Sequence, residues 1–140
     1  MSGTIIVGVD GSETAMRAAR TAADLAAGMG ATLTVVTAYA SDKTEVLEIA
    51  GEDWTVSNAA EATKVAQRVA ALLGAGGVAT TYTAALGKPH EVLISEAERL
   101  AAKVIVVGNR RMKGLGRVLG SVANTVAHHA PCDVYVAKTD

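Results

Sequence analysis

The sequence predicts an α/β protein, built as a three-layer, doubly wound parallel sheet of five strands. Strand-like runs and helical patterns alternate four times, and a fifth strand closes the series. Several of the strand-like runs are almost continuously apolar and rich in β-branched residues. Such runs are typical of strands that are buried on both faces of a parallel sheet.

The five strands are predicted from these runs. They are Thr4–Val9, Thr32–Ala38, Val78–Ala84, Lys103–Val107 and Asp133–Ala137. Four helical patterns, with apolar residues three or four positions apart, lie between them over residues 15–29, 62–73, 89–100 and 119–127. Gly30 follows the first pattern and Pro89 opens the third, which fits the usual places of these residues at helix ends.

Residues 40–57 interrupt the alternation. This segment is polar and acidic, and we interpret it as a solvated connector. The alternative is a lid or partner contact with a short helical turn.

Composition limits the class of protein. The chain has 140 residues, half of them hydrophobic, which predicts a single domain over residues 1–140 with a substantial core. Its net charge of −1 and its lack of Phe argue against nucleic acid and anionic membranes as partners. The single cysteine, Cys132, excludes an internal disulfide and fits a reducing compartment. We see no signal peptide or spanning segment, and expect a soluble, cytoplasmic protein.

The loop over residues 108–121 is the most informative segment. It joins an apolar strand to a helix start and contains four glycines and Arg110, Arg111, Lys113 and Arg117. Glycines allow close backbone approach, and the first N–H groups of a helix point at an anion. The loop therefore predicts an anionic ligand, most plausibly a nucleotide. Gly120 and Ser121 would meet a phosphate; the alternatives are an N-cap role for Ser121 and a solvated face for the arginines.

The first strand ends at a second polar position, Asp10. Its carboxylate would accept from ribose hydroxyls or help to hold a metal ion. The alternative is helix capping, since Asp10 and Glu13 have capping-box spacing. If the first and fourth strands are neighbours where strand order reverses, Asp10 and the glycine loop face one crevice.

Other reactive residue types do not form a catalytic or metal site. His128 and His129 are adjacent, so they do not share a helix face, and no ligand of suitable spacing accompanies them. Cys132 is interpreted as a small buried hydrophobe. No base is tied to a nucleophile by local geometry. We therefore predict no catalytic residues and no bound metal.

Several motifs together resemble the universal stress protein A family. They are Val-Gly-Val-Asp-Gly-Ser at 7–12, Gly-Lys-Pro at 87–89, Ile-Val-Val-Gly-Asn at 105–109, Leu-Gly-Ser-Val at 119–122 and His-His-Ala-Pro-Cys-Asp-Val at 128–134. The resemblance spans the chain in order. It implies the adenine nucleotide α-hydrolase-like fold with strand order 3-2-1-4-5. It also implies a homodimer joined through the last strand, here Asp133–Lys138, and an adenine nucleotide as ligand: ATP first, with or without Mg²⁺, or AMP or cyclic AMP.

The chain departs from the family's ATP-binding pattern, which is Gly, two residues, Gly, nine residues, Gly, then Ser or Thr. Gly108 matches, but Arg111 stands where the second glycine is expected, and only eight residues separate it from Gly120. A side chain there obstructs close backbone approach. Gly114 or Gly116 would have to compensate, or the arginine would contact the phosphates itself.

The resemblance assigns nucleotide contacts residue by residue. It places Val9, Asp10 and Ala38 near base and ribose, and Val107, Gly108, Gly120, Ser121 and Val122 around sugar and phosphates, with Arg110, Arg111 and Gly114 in the loop. The leading hypothesis is a dimeric stress-response and signalling module that holds an adenine nucleotide. The alternatives are a nucleotide-free interaction protein and a weak ATPase or autophosphorylating protein with Mg²⁺ at Asp10.

Overall fold

The computed structural model describes residues 3–41, 44–49, 52–109 and 119–139, and only the backbone of residues 44–49 and 52–57. Its strands are β1 (Thr4–Gly8), β2 (Thr32–Tyr39), β3 (Thr44–Ile49), β4 (Glu52–Ser57), β5 (Thr80–Leu86), β6 (Val104–Asn109) and β7 (Asp133–Lys138). Its helices are α1 (Glu13–Met29), α2 (Asn58–Gly74), α3 (Pro89–Leu100) and α4 (Ser121–His129).

The main sheet has the order β5-β2-β1-β6-β7, and every neighbouring pair is parallel. These are the five predicted strands, and the predicted order 3-2-1-4-5 is confirmed. Val7 on β1 pairs with Val35 on one side and with Val106 on the other. Strand order therefore reverses at β1, which sets the ends of β1 and β6 side by side.

The two faces of the sheet carry separate cores. Ile5 and Val7 on β1 pack with α1 and α2, whereas Ile6 between them packs with α3 and α4. This is the alternation that a strand buried on both faces requires. The fully buried residues of α1 are all alanine: Ala18, Ala19, Ala22 and Ala26. Their small size allows α1 to lie close to β1 and β6.

The helix ends follow their local sequence. α1 is capped at its start by Ser12, whose Oγ accepts a hydrogen bond from the Ala15 N–H at 3.1 Å. It ends at Gly30, whose φ of 64° is the left-handed conformation that glycine adopts without strain. α3 begins at Pro89, as predicted from the fixed φ of proline.

The prediction of a connector over residues 40–57 is wrong. The segment contains the antiparallel hairpin β3–β4, whose register sets Val46 opposite Thr55 and Leu47 opposite Trp54. These are strand-forming residue types, and they are spaced among the acidic residues that led us to expect a solvated segment.

In the part of the chain that the structure describes, no helix is long and apolar enough to cross a membrane.

Candidate functional site

A crevice of about 330 Å³ opens at the carboxyl edge of the sheet, where strand order reverses. It lies beyond the ends of β1 and β6 and between the beginning of α1 and the helices α3 and α4. The lining residues are Gly8, Val9, Asp10, Ser12, Thr14, Ala15, Val36, Ala38, Pro89, Val92, Leu93, Val107, Gly108 and Val122. Open parallel sheets bind ligands at this position.

One wall is the turn from β1 into α1. The Ser12 N–H donates to Asp10 Oδ1 at 2.9 Å, and Gly11 between them has a φ of 87°. The alternative in which Asp10 caps α1 is wrong, because Ser12 is the N-cap. Asp10 instead closes the turn and stays exposed at the crevice, where a carboxylate can accept hydrogen bonds from hydroxyl groups.

The opposite side of the crevice is apolar. Val36 and Ala38 on β2 and Val92 and Leu93 on α3 line it, and Val92 and Leu93 are almost fully buried. A Cβ at Gly8 would come within 3.2 Å of the Leu93 methyl carbons, so α3 lies close to the end of β1. The result is a slot with apolar walls, which suits a flat, largely apolar group such as a nucleobase.

The beginning of α4 forms the third side. Gly120 is the N-cap and has no side-chain capping bond within its helix. Its N–H donates to the Asn109 Oδ1 at 2.7 Å. The N-cap alternative for Ser121 is therefore wrong: Ser121 is the first helical residue and is exposed. The Gly120 N–H that we expected to meet a phosphate is bonded to a side chain of the protein.

Gly108 also lies against α1, on the face of the sheet that carries the α1 and α2 core. A Cβ there would lie 3.2 Å from the Ala18 Cβ on α1 and 3.1 Å from Thr139 Cγ2. Thr139 is held by two further bonds: its N–H donates to the Asn109 carbonyl at 3.1 Å, and its own carbonyl accepts from Arg17 Nη1 at 2.9 Å. The end of β6 is thus tied to β7 and to the first turns of α1.

The crevice brings six of the eleven predicted binding residues together. They are Val9, Asp10, Ala38, Val107, Gly108 and Val122. Gly120 and Ser121 lie beside it at the beginning of α4. Arg110, Arg111 and Gly114 lie outside the described residues, as do Lys113, Gly116 and Arg117. Whether any of these residues contacts a ligand stays a prediction.

Sequence reasoning missed several crevice residues and one that supports them. Thr14, Val36 and Leu93 line the crevice without any motif to mark them. Asn109 is 4% exposed and accepts the bond from Gly120. The available signal was a polar residue two positions after the end of the predicted strand Lys103–Val107.

The histidines and the cysteine lie away from the crevice. His128 and His129 are exposed at the end of α4, with ring centroids 6.5 Å apart. Cys132 is half-buried before β7, at the amino edge of the sheet. Burial, with the nearby Asp133 charge as a second cause, raises the pKa of its thiol above 9.0. It is therefore a neutral thiol at physiological pH and a weak nucleophile.

A magnesium ion would find few ligands of its own in the described crevice. Asp10 is the carboxylate among the lining residues, and no group of three His, Cys, Asp or Glu suited to a metal occurs among the residues described. Mg²⁺ is commonly held by one or two carboxylates together with phosphates of a substrate. The residues fit such an ion only when a nucleotide supplies the remaining ligands.

Known proteins resemble this chain in both sequence and fold. The family model described as "Universal stress protein family" matches residues 1–138. A universal stress protein of Mycobacterium tuberculosis is 32% identical over 143 aligned residues, which cover 97% of this chain and 96% of that protein. A solved universal stress protein in complex with cAMP is 28% identical, with a TM-score of 0.75 and coverage of 99% of this chain and 98% of that one. The universal stress protein of Archaeoglobus fulgidus in complex with dAMP, 24% identical, has a TM-score of 0.74 over 97% of this chain and 98% of its own and shares the fold.

Proposed function

Since this chain belongs to the universal stress protein family, we propose that it binds an adenine nucleotide in the crevice at the reversal of strand order. ATP is the proposed ligand, with AMP and cyclic AMP as the alternatives. The relative that is solved with cAMP and shares 28% identity with this chain supports an adenine nucleotide as the class of ligand. Nucleotide occupancy is the signal that the protein would carry in a stress response.

The observation that carries this proposal is the combination of surfaces in one crevice. An apolar slot formed by Val36, Ala38 and Leu93 shares the crevice with the Asp10 carboxylate. The slot suits adenine, and the carboxylate is placed to accept hydrogen bonds from ribose hydroxyls. The volume of about 330 Å³ is within the range of small-molecule sites.

Phosphate groups would lie towards the helix beginnings. The first turns of α1 and α4 both border the crevice, through Thr14 and Val122. The N-termini of helices carry partial positive charge and N–H groups without intrahelical partners, so they favour anions. The Ser121 hydroxyl at the beginning of α4 adds a further donor. In this arrangement Mg²⁺ would bind together with the phosphates.

We propose a binding module rather than an enzyme. Phosphoryl transfer needs a positioned water or hydroxyl and a metal clamp. Among the described lining residues Asp10 is the single charged group, and neither His nor Cys occurs there. Weak hydrolysis, or autophosphorylation on Ser121, is the enzymatic alternative. It would be recognised by product formation that is lost in Asp10→Ala and survives repeated purification.

The proposed assembly is a homodimer through β7, in the cytoplasm. β7 is an edge strand of the described sheet, and Tyr135 on it is 45% exposed. Edge strands present unpaired N–H and carbonyl groups that pair readily with a second chain. A second copy of β7 would satisfy these groups and cover Tyr135.

Calorimetric titration of the nucleotide-stripped protein tests the proposal. ATP with Mg²⁺, AMP, cyclic AMP and adenosine should be compared, with Asp10→Ala as the test variant and Asp24→Ala as the control. Asp24 is exposed on α1, away from the crevice. We expect saturation near one ligand per chain and a loss of about ten- to a hundredfold in Asp10→Ala, since a hydrogen bond to a charged group contributes roughly 1.5–3 kcal/mol.

The control variant should bind like the unaltered protein. Absence of heat with every ligand, checked at two temperatures, would contradict nucleotide binding and favour the nucleotide-free interaction protein. Equal losses in both Asp variants would instead show that the crevice is not the binding site.

A further inference from the structure

We propose that Asn109 is a positioning residue for the nucleotide phosphate: its carboxamide holds the beginning of α4 against the end of β6 and thereby selects phosphate-bearing ligands over the nucleoside. This inference rests on the proposed function and concerns the same crevice. It assigns the phosphate to the helix N–H groups after Gly120 rather than to Gly120 itself.

The first step is the geometry of the contact. Asn109 is the last residue of β6 and Gly120 the N-cap of α4, and the 2.7 Å bond from the Gly120 N–H to Asn109 Oδ1 joins them directly. The same oxygen lies 3.0 Å from the position that a Cβ on residue 120 would occupy. A side chain at position 120 would therefore press on the carboxamide, so this contact favours glycine there.

The second step is the rigidity of the anchor. Asn109 is 4% exposed. Its own carbonyl accepts the bond from the Thr139 N–H, and Arg17 holds Thr139 from the other side. Strand β6, the chain beyond β7 and helix α1 thus fix the position of Asn109, and Asn109 fixes that of α4.

The third step concerns the helix donors. α4 has no side-chain capping bond from its N-cap, and Asn109 accepts from the N–H of the N-cap residue, the donor that an N3 Glu or Gln satisfies in a capping box. With the Gly120 N–H occupied, the N–H groups of Ser121 and Val122 are the next donors of the first turn. Val122 lines the crevice, so this turn faces the proposed ligand.

The fourth step is the charge of the anchor. An amide accepts the Gly120 bond without adding negative charge beside the phosphate. Aspartate has nearly the same shape and accepts the same bond, but its charge repels an anion a few ångströms away. Comparing the unaltered protein with Asn109→Asp therefore separates two roles of the side chain: holding the beginning of α4 in place, and adding no negative charge beside the phosphate.

The experiment measures AMP and adenosine affinities in the unaltered protein and in Asn109→Asp, Asn109→Ala and Asn124→Asp. Asn124 is exposed on α4 and does not line the crevice, so its variant adds the same charge to the same helix elsewhere. Expected results are a loss of about tenfold or more in AMP affinity for Asn109→Asp, with adenosine affinity changed by less than about twofold.

In Asn109→Ala the anchor is lost. We expect AMP affinity to fall several-fold, with a smaller change for adenosine. A purely structural role would lower the melting temperature of the variants and leave the ratio of AMP to adenosine affinity constant. Asn124→Asp should keep the ratio of the unaltered protein.

The outcomes separate the two proposals. If the unaltered protein binds both ligands and the ratio is unchanged in both Asn109 variants, the positioning role is overturned and nucleotide binding stands. Tighter AMP binding in Asn109→Ala would also overturn it, by showing that the freed Gly120 N–H binds phosphate. If the unaltered protein binds neither ligand and does not bind ATP or cyclic AMP either, the proposed function fails, and this inference fails with it.

Discussion

Gly108 on β6 lies directly against Ala18 on α1: a Cβ at position 108 would be 3.2 Å from the Ala18 Cβ. Backbone and helix meet here without room for a side chain, beside the crevice that Gly108 also lines. The contact limits how closely α1 approaches the strand end.

Gly108→Val should therefore destabilise the protein by about 1–3 kcal/mol, the usual cost of overpacking a well-filled contact. Gly28→Ala is the matched control, since nothing lies within 4 Å of the added methyl group and alanine favours helix. Chemical denaturation measures both. An unchanged midpoint for Gly108→Val would show that α1 shifts without cost.

The caps of α1 and α4 differ, and serine substitution distinguishes them. Ser12→Ala removes the acceptor for the Ala15 N–H and should cost about 0.5–2 kcal/mol. Ser121→Ala removes a hydroxyl with no capping role, so we expect a change of less than about 0.5 kcal/mol. Thermal unfolding of the two variants measures the contrast, and equal losses would contradict the assignment of the caps.

Arg17 should protect the end of the chain that follows β7. Its Nη1 donates to the Thr139 carbonyl at 2.9 Å, and a net contribution of roughly 1.5–3 kcal/mol is typical of a hydrogen bond made by a charged group. In Arg17→Ala we expect faster hydrogen exchange at the Thr139 amide, which donates to Asn109. Arg20→Ala, exposed on the same helix, is the control, and equal exchange in both variants would refute the role of Arg17.

Cys132 should make the protein less stable at alkaline pH. Burial raises the pKa of its thiol in the folded state above the ordinary value of 9.0. The folded protein holds this proton more tightly than the unfolded chain. The contribution of the protonated thiol to the free energy of unfolding is therefore complete below pH 9.0. It is lost as the pH rises through the pKa of the thiol in the folded protein.

Denaturation curves between pH 7 and 10.5 measure this effect, with Cys132→Ala as the comparison. The alanine variant should lose less unfolding free energy over that interval. Parallel pH profiles of the two proteins would show that the thiol does not titrate differently on folding.

The proposed dimer predicts an asymmetry between the two edges of the sheet. Tyr135→Asp on β7 should convert the dimer to a monomer, because a charge would be buried at the interface. Tyr82→Asp on β5, at the opposite edge and equally exposed, should leave the dimer intact. Analytical ultracentrifugation measures the oligomeric state of both variants. A dimer lost only in Tyr82→Asp would place the interface at β5.

Local sequence was sufficient for the main sheet, since each buried strand and each amphipathic helix carries its own periodicity. Local sequence was insufficient for β3–β4, because the acidic residues between the strand-forming residues led us to predict a connector there. Asp10 and Gly108 could be placed at one edge because both directly follow apolar strands. The bond between Asn109 and Gly120 could not, because eleven positions separate them and only the folded chain brings them together.

The central place of β1 has a consequence for synthesis of the protein. One edge of β1 pairs with β2, but the other waits for β6, about a hundred residues later in the chain. A nascent chain that has not yet released Val104 from the ribosome therefore carries β1 with an open edge. The sheet around β1 is complete only once β6 has been made, so the ligand crevice forms after residues 104–109 have left the ribosome.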